Sequence, residues 1–414
     1  LRRPRFDRDH YNACTNTARR IGYNRGMPPL SPPLSLYVHM PWCVKKCPYC
    51  DFNSHGLRSA PPPYAHYTEL LLADLDADRR DFGAALAGRP IVSVFFGGGT
   101  PSLFAPELIA RFLDGARARL PFADDCEITL ETNPGTVEHG RFDGYLAAGV
   151  NRLSFGIQSF DDDKLRRLGR IHSAAEAEAA VKSAQDAGYA NLNLDLMYAL
   201  PQQTLDGAQA DVARAVALQP THISHYQLTL EPNTAFAANP PPLPDDDDAW
   251  AMQEACEAQL AAAGYGQYEI SAYARPGRRC THNLNYWQFG DYLGIGAGAH
   301  GKFSDGGSGQ IQRRWKTRHP RAYLDAAAGP GRIGGDSVVA ADELPFEYML
   351  NALRLIDGVP MADFSDRTGL APAHIASTVA AAQARGWLHA APDRLRTTAL
   401  GQRFLNDVIA SFLD

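Results

Sequence analysis

The chain has 414 residues, with 40 Lys and Arg against 46 Asp and Glu, a formal net charge of −6. A composition of 45% hydrophobic and 21% charged residues excludes a disordered, fibrous or small disulfide-framed chain and suits two or three packed domains. No apolar run approaches the roughly 18 residues needed to cross a bilayer, and residues 1–26 hold seven arginines and two aspartates, which leaves −11 on the remainder and argues against a nucleic-acid partner.

Residues 1–33 read as an N-terminal extension without an apolar signal core. Met27 is the first methionine, so the native start is expected there, after a disordered or wrongly included segment; an Arg-rich targeting peptide is the alternative. From residue 34 the chain alternates regularly. β-rich runs are predicted at 34–39, 91–96, 126–131, 152–157, 190–196 and 222–228, with helical runs at 64–80, 106–119, 138–148, 173–187 and 206–218 between them. Six β-α repeats of this spacing predict an α/β fold with a parallel sheet and right-handed crossovers. The repeats fall two short of a closed eightfold barrel, so a partial six-stranded (β/α)6 TIM-like barrel is expected over 34–238.

Residues 239–339 open on "NPPPLPDDDDAW", whose aspartates are expected at the N-terminus of a helix near 249–263. A glycine-rich segment, "YLGIGAGAHGKFSDGGSG" (292–309), then completes the core. From 340 to 414, helical runs near 343–355, 361–368 and 372–385 precede the hairpin-like "GWLHAAPDRLRTT". This predicts a small, mainly helical, winged-helix-like domain, whose acidic balance favours docking over DNA binding.

The unusual residues fall at the expected C-terminal strand ends, the rim where parallel α/β barrels place their chemistry. "HMPWCVKKCPYCDFNSH" follows the first strand and "GGGTP" (97–101) the second; Glu131 ends the third in "ETNPG", Gln158 follows the fourth, and Asp195 closes the fifth. Each alone has a plain reading as a turn, a cap partner or a structural hydrogen bonder. Cys43, Cys47 and Cys50 form C-x3-C-x2-C, a loop short enough to wrap a cubic [4Fe-4S] cluster and leave one iron corner open. A zinc site completed by His39 or His55, or a four-ligand cluster using a distant cysteine, are the alternatives. Cys14, Cys126, Cys256 and Cys280 are scattered and read as buried or incidental thiols; the clustered ones suggest a reducing cytoplasm.

The cysteine motif, with Tyr49 just before its last cysteine, resembles the radical S-adenosylmethionine (SAM) superfamily, and the resemblance runs from about Leu34 to the end of the chain. It implies that SAM chelates the open iron and that reductive cleavage of SAM releases a 5′-deoxyadenosyl radical. It assigns Gly98, Gly99 and Thr100 to the SAM amino group, Tyr37 to a SAM contact, and Glu131, Gln158, Arg170 and Asp195 to the methionyl and ribose groups. Thr229 joins this set by offset and Ile295 at the adenine.

"SLYVHMPWC", "DFNSH", "LEPNT" and "YLGIGAGAHG" resemble the subgroup holding oxygen-independent coproporphyrinogen III oxidase and the HemW-type heme chaperones. The oxidase carries a further cysteine two positions after the third, where Phe52 stands here, and a longer segment before its first strand. "HNLNYW" (282–287) resembles the H-N-x-x-Y-W motif of the chaperones, which implies His282 as an axial heme ligand and Tyr286 and Trp287 as a flat apolar surface. His300 is a second candidate ligand, its flanking glycines suggesting a close approach of backbone to the SAM adenine. On residue type alone, His282 also fits a local cap and Trp287 a core position.

The expectation is a cytoplasmic heme carrier rather than an enzyme, built on a radical SAM scaffold and holding a [4Fe-4S] cluster, SAM and heme. It would pass heme to an acceptor hemoprotein, respiratory or other, and meet a membrane only through that acceptor. The competing reading is a radical SAM decarboxylase of coproporphyrinogen III, or another tetrapyrrole-modifying enzyme.

Overall fold

β1 (Leu34–Met40) is buried on both faces, which is why its sequence, LSLYVHM, is nearly continuous in apolar residues. The computed structural model describes residues 31–57, 61–135, 141–326 and 329–413; Cys14 and the expected start at Met27 lie outside them. β2 (Trp42–Cys43) and β3 (His55–Gly56) pair in parallel and close the cysteine loop into a compact bight. β4 (Ile91–Gly98), β5 (Phe122–Thr132), β6 (Arg152–Gln158), β7 (Leu192–Tyr198) and β8 (His222–Gln227) then line up beside β1, all parallel, in chain order. The six predicted repeats are therefore all present, and the α/β class stands.

The connecting helices start where sequence chemistry places them. Ser173 and Glu176 form a reciprocal capping box ahead of Ala174–Asp186. Asp245 caps Asp246–Ala262 through the Asp248 amide at 2.8 Å, so the aspartate run does sit on a helix N-terminus.

The sheet extends beyond the six repeats. β10 (Ala272–Ala274) adds antiparallel to β8, and β9 (Gly266–Glu269) antiparallel to β10 at the edge. The glycine-rich stretch supplies strands: β11 (Asp291–Ile295) is a seventh parallel member against β1, and β12 (His300–Asp305) turns back from it. Glycine is needed where these two meet, since a Cβ on Gly294 would lie 2.0 Å from the His300 carbonyl oxygen. β13 (Gln310–Lys316) and β14 (Ile333–Val338) complete an antiparallel edge. Lys316 and Arg332, almost fully buried, fasten this edge to Asp74 and Asp78 on the helix Tyr64–Leu86.

Alternation along the strands turns one row of side chains into a common interior. Ser35 meets Ser93 at 2.7 Å and Tyr37 stacks toward Phe95 across β1 and β4. The segment Cys280–His282 reaches Ser93 on β4 and Glu127 on β5, while Tyr268 links the Cys280 amide to His222 on β8. Three strands converging on three residues require a curled sheet, hence a partial barrel with the helix Thr281–Trp287 across its floor. A second apolar cluster gathers the helices Leu344–Ala352, Met361–Thr368 and Ala376–Ala384, with the ladder β15 (Val359–Pro360)/β16 (Arg394–Leu395) in winged-helix order. It also draws in Tyr268, Ala272, Phe289 and Ile311, so these helices share a core with the sheet.

Candidate functional site

The cysteine loop leaves the C-terminal end of β1 and lies over the barrel mouth. Its position is fixed by backbone: the Gly99 and Thr100 amides donate to the Met40 and Trp42 carbonyls at 2.8 and 2.7 Å. This approach excludes any side chain at Gly99, whose Cβ would sit 2.5 Å from the Trp42 carbonyl oxygen. Gly98, at φ +107, lies over the His39 ring, which a Cβ there would meet at 2.3 Å. His39 is held at both nitrogens, by the Tyr37 hydroxyl at 3.0 Å and the Asn53 carbonyl at 3.0 Å. Burial lowers its pKa to about 4. A ring so engaged has no nitrogen to offer a zinc ion.

Cys43, Cys47 and Cys50 are each half-buried on this loop. Arg170 donates to Cys47 Sγ at 3.6 Å, and the Cys50 sulfur lies 3.6 Å from Ser54 Oγ. Burial raises the thiol pKa of Cys43 and Cys50 above the ordinary value, with hydrogen bonds from Thr100 and Ser54 opposing it. A group that draws the proton off, as iron does, offsets that cost. Among the described residues no three His, Cys, Asp or Glu side chains gather tightly enough to hold one ion. Three separated thiols with a guanidinium donor beside them fit the donor set of a cluster that takes one thiolate per iron. The other thiols, Cys126, Cys256 and Cys280, are buried, and burial pushes each up to about 12, which leaves them inert.

Below the loop the predicted polar residues do converge. The Gly98 amide donates to Glu131 Oε2 at 3.1 Å. Burial, reinforced by the charge of Asp195, pushes the Glu131 carboxyl up to about 8. Asp195 accepts from Asn193 at 2.9 Å and Ser154 at 3.1 Å, and burial raises its pKa as well. It lies mid-strand rather than at the strand end, because β7 continues three residues further to Tyr198. Gln158 ends β6 at φ +74, a left-handed conformation that a glutamine adopts at a cost of order 1 kcal/mol. Its side chain accepts from the Tyr226 hydroxyl at 2.9 Å. Arg170 donates to the Gly156 carbonyl and to Asn133.

Tyr226 and Asn133 were missed by the sequence reading. Asn133 joins Arg170 to the Thr100 hydroxyl, its amide donating to that oxygen at 2.7 Å. Both carried a legible signal: Asn133 stands inside "ETNPG", and Tyr226 shares the inward alternation of β8. Two predicted residues lie apart from the set. Thr229 is exposed past β8 and donates to Glu231 at 3.0 Å. Ile295 is fully buried on β11 opposite Val38 and packs into the main core.

Residues 37–214 match the Radical SAM superfamily and residues 339–404 the HemN C-terminal domain. The chain is 50% identical to the heme chaperone HemW of Escherichia coli, over 92% of this chain and 98% of that one. It is 35% identical to the heme chaperone HemW of Mycobacterium tuberculosis, over 94% and 97%. The chain belongs to the HemW-type radical SAM proteins. Its fold is similar to that of the radical SAM enzyme coproporphyrinogen III oxidase (HemN) from Escherichia coli, with a TM-score of 0.76 at 23% identity over 92% of this chain and 90% of that one. Among the described residues no helix is long and apolar enough to cross a membrane.

In this HemW-type chain the motif "HNLNYW" is the barrel floor. His282 is 1% exposed, its Nδ1 bonded to Ser93 Oγ at 2.8 Å and its Nε2 to the Tyr286 hydroxyl at 2.9 Å. Its ring stacks on Phe95 with centroids 5.0 Å apart. Burial, and then the Arg152 cation, lowers its pKa to about 3, so the imidazole is neutral. Asn285 donates to Ser35 Oγ and to the Asp291 carbonyl. The two aromatics expected to form one flat surface have different neighbours. Tyr286 stands edge-on to Tyr292 at 4.4 Å, whereas Trp287 lies under Arg354 at 4.3 Å and packs against the C-terminal helices.

Proposed function

We propose that the chain is a heme carrier. Cys43, Cys47 and Cys50 would hold a [4Fe-4S] cluster at the barrel mouth. Tyr37, Gly98, Gly99, Thr100, Glu131, Gln158, Arg170 and Asp195 would face SAM beneath it, and heme would be bound for transfer to an acceptor hemoprotein in the cytoplasm. The observation that carries this reading is the 50% identity, along 92% of the chain, with a protein named a heme chaperone. Phe52, standing where the oxidase has its further cysteine, supports a carrier over a decarboxylase. When bound, the cluster supplies an open iron and an electron.

The residues of the chain supply the rest. Arg170, beside Cys47 and the Gly156 carbonyl, places a fixed cation at the cluster edge and is suited to a SAM carboxylate. Asp195 and Glu131 present carboxyls to ribose hydroxyls or an ammonium group from the far wall of the barrel. The Gly98 backbone lets a ligand approach closely. For heme, His282 and His300 are the two histidines in question, and the floor position of His282 means that iron would have to displace the Tyr286 hydroxyl.

The test is anaerobic. Protein reconstituted with iron and sulfide is titrated with SAM and with hemin, then mixed with an apo-hemoprotein. Bound hemin that moves to the acceptor is the expected result. Failure to bind hemin would sink the carrier reading, and conversion of coproporphyrinogen III to protoporphyrinogen under reductant and SAM would replace it with the decarboxylase.

A further inference from the structure

We propose that Arg152 and Thr129 form a carboxylate-binding site inside the barrel, and that the carboxylate it takes is a propionate of heme. The proposal rests on the carrier reading and names a contact for its cargo. Arg152 opens β6, and Thr129 lies directly opposite it in the register of β5, so the two side chains are neighbours on one face of the sheet. Two residues further along, the same register sets Glu131 opposite Ser154. That face is the inner one, since Glu131 reaches the Gly98 amide and Ser154 reaches Asp195.

The polar residues beside this pair are satisfied. Ser154 donates to Asp195 at 3.1 Å, Asn193 to Ser154 at 2.8 Å and Ser224 to Asn193 at 3.1 Å. His222 meets Asn193 at 2.6 Å and the Tyr268 hydroxyl at 2.8 Å. Thr129 is fully buried, yet its hydroxyl has no partner among the described residues. Arg152 is 2% exposed, its Nε has no hydrogen-bond partner among the described residues, and its ion pair with Glu127 is long, at 4.0 Å. Glu127 is spent elsewhere, its Oε1 accepting from the His282 amide at 3.1 Å and the Cys280 thiol at 3.4 Å. Arg332, buried to a similar degree, donates to Asp78 at 3.0 Å, and Arg170 donates to Asn133 and the Gly156 carbonyl. Buried polar groups are nearly always hydrogen-bonded, so a guanidinium and a hydroxyl left bare side by side point to an acceptor that a ligand supplies.

The walls select the acceptor. A guanidinium fork with one hydroxyl beside it matches the two oxygens of a carboxylate. A phosphate would bring up to two negative charges toward Glu127 and Asp195, whereas a carboxylate brings one. Burial, and then the Arg152 cation, lower the pKa of both His222 and His282, which sets the guanidinium near both imidazoles and in one chamber with a candidate iron ligand. Heme carries two carboxylates and SAM one. Arg170, beside the cysteine loop, is suited to SAM, which leaves Arg152, at the opposite end of β6, for heme.

The experiment uses the full chain with its cluster reconstituted. Hemin is compared with hemin dimethyl ester, and SAM with decarboxylated SAM, in the wild type, Arg152→Gln and Thr129→Val. The wild type is expected to bind hemin about tenfold or more tighter than the diester. Arg152→Gln should abolish that preference by weakening hemin alone, whereas a purely structural role would weaken both ligands alike. Thr129→Val removes a hydroxyl without a partner, so it should fold as well as the wild type and weaken hemin about threefold. Hemin and diester bound equally by the wild type, or a preference kept in both variants, would overturn the heme assignment while leaving the carrier reading intact. Loss in Arg152→Gln of the preference for SAM over decarboxylated SAM would also overturn it, and would give the site to SAM. A wild-type chain that binds neither hemin nor its diester would overturn the carrier reading and this assignment together.

Discussion

Replacing His282 by alanine separates a floor residue from a ligand, because the two roles predict opposite costs in the protein without heme. The substitution removes a ring 1% exposed and both of its hydrogen bonds. Ser93 keeps Ser35 as a partner at 2.7 Å, so the stranded group is the Tyr286 hydroxyl. A buried unsatisfied hydroxyl costs about 1–3 kcal/mol, and the cavity left by the ring adds about 1–2 kcal/mol. A loss of about 2–5 kcal/mol at pH 7.5 is expected, measured by urea unfolding followed by circular dichroism. The pH dependence gives a second reading. The folded imidazole titrates at about 3 and the unfolded one at 6.5. Between these values the unfolded chain takes up the proton, so this residue's contribution is complete above 6.5 and is lost as pH falls toward 3. The gap between wild type and variant should therefore be about 1.3 kcal/mol smaller at pH 5.5 than at pH 7.5. A variant as stable as wild type, or a gap that does not change with pH, would refute the floor role and return His282 to the heme iron.

Serine in place of Cys43, Cys47 or Cys50 should abolish the iron bound on anaerobic reconstitution, whereas serine at Cys126, Cys256 or Cys280 should leave it; full iron in any of the first three would mean a wrong ligand set. Glu131→Gln bears on the cleft. The Glu131 carboxyl is pushed from 4.5 up to about 8, so the folded, SAM-free protein holds a proton that the unfolded chain releases, and stability falls as pH rises through that window. Allowing for the opening of this residue to the mouth, the variant should recover about 2–3 kcal/mol at pH 8.5 and nothing at pH 4; thermal melts of unchanged pH slope would count against it. Lys316→Met removes one buried cation from Asp74 and Asp78, both buried, and should cost about 3–5 kcal/mol in the same urea assay. A loss below about 1 kcal/mol there would mean that the remaining cations, Arg332 on both and Arg314 on Asp78, suffice.

The barrel was legible because each strand is a short apolar run with a turn signal at its end and a capped helix behind it. "SLYVHM" and "IVSVFF" announce burial on both faces, and Ser173 with Glu176 announces a helix start. The cysteine loop was legible from three cysteines in eight positions. The barrel floor was not. Its helix, Thr281–Trp287, is seven residues long, is polar at four of them and has no side-chain cap. It is held by Ser35, Ser93 and Glu127, partners between 155 and 250 residues away in the chain. The strands in the glycine-rich stretch were hidden for a related reason: backbone contact at Gly294 removes the side chains whose alternation would have shown them. Asp195 lies three residues short of the end of its strand, since the end of β7 is fixed by pairing with β8 and not by local propensity.

The motif that most suggested heme in the sequence also packs the barrel floor. A histidine held at both nitrogens, stacked on Phe95 and fixed above Ser93, serves the shape of the chamber behind Tyr37; the Tyr37 and His282 rings are 6.4 Å apart. Five residues on in sequence, Trp287 of the same helix meets Arg354 and the C-terminal helices. A rigid element with one end in the barrel chamber and the other in the C-terminal core fixes the distance between them, and a ligand at His282 would have to break that tie.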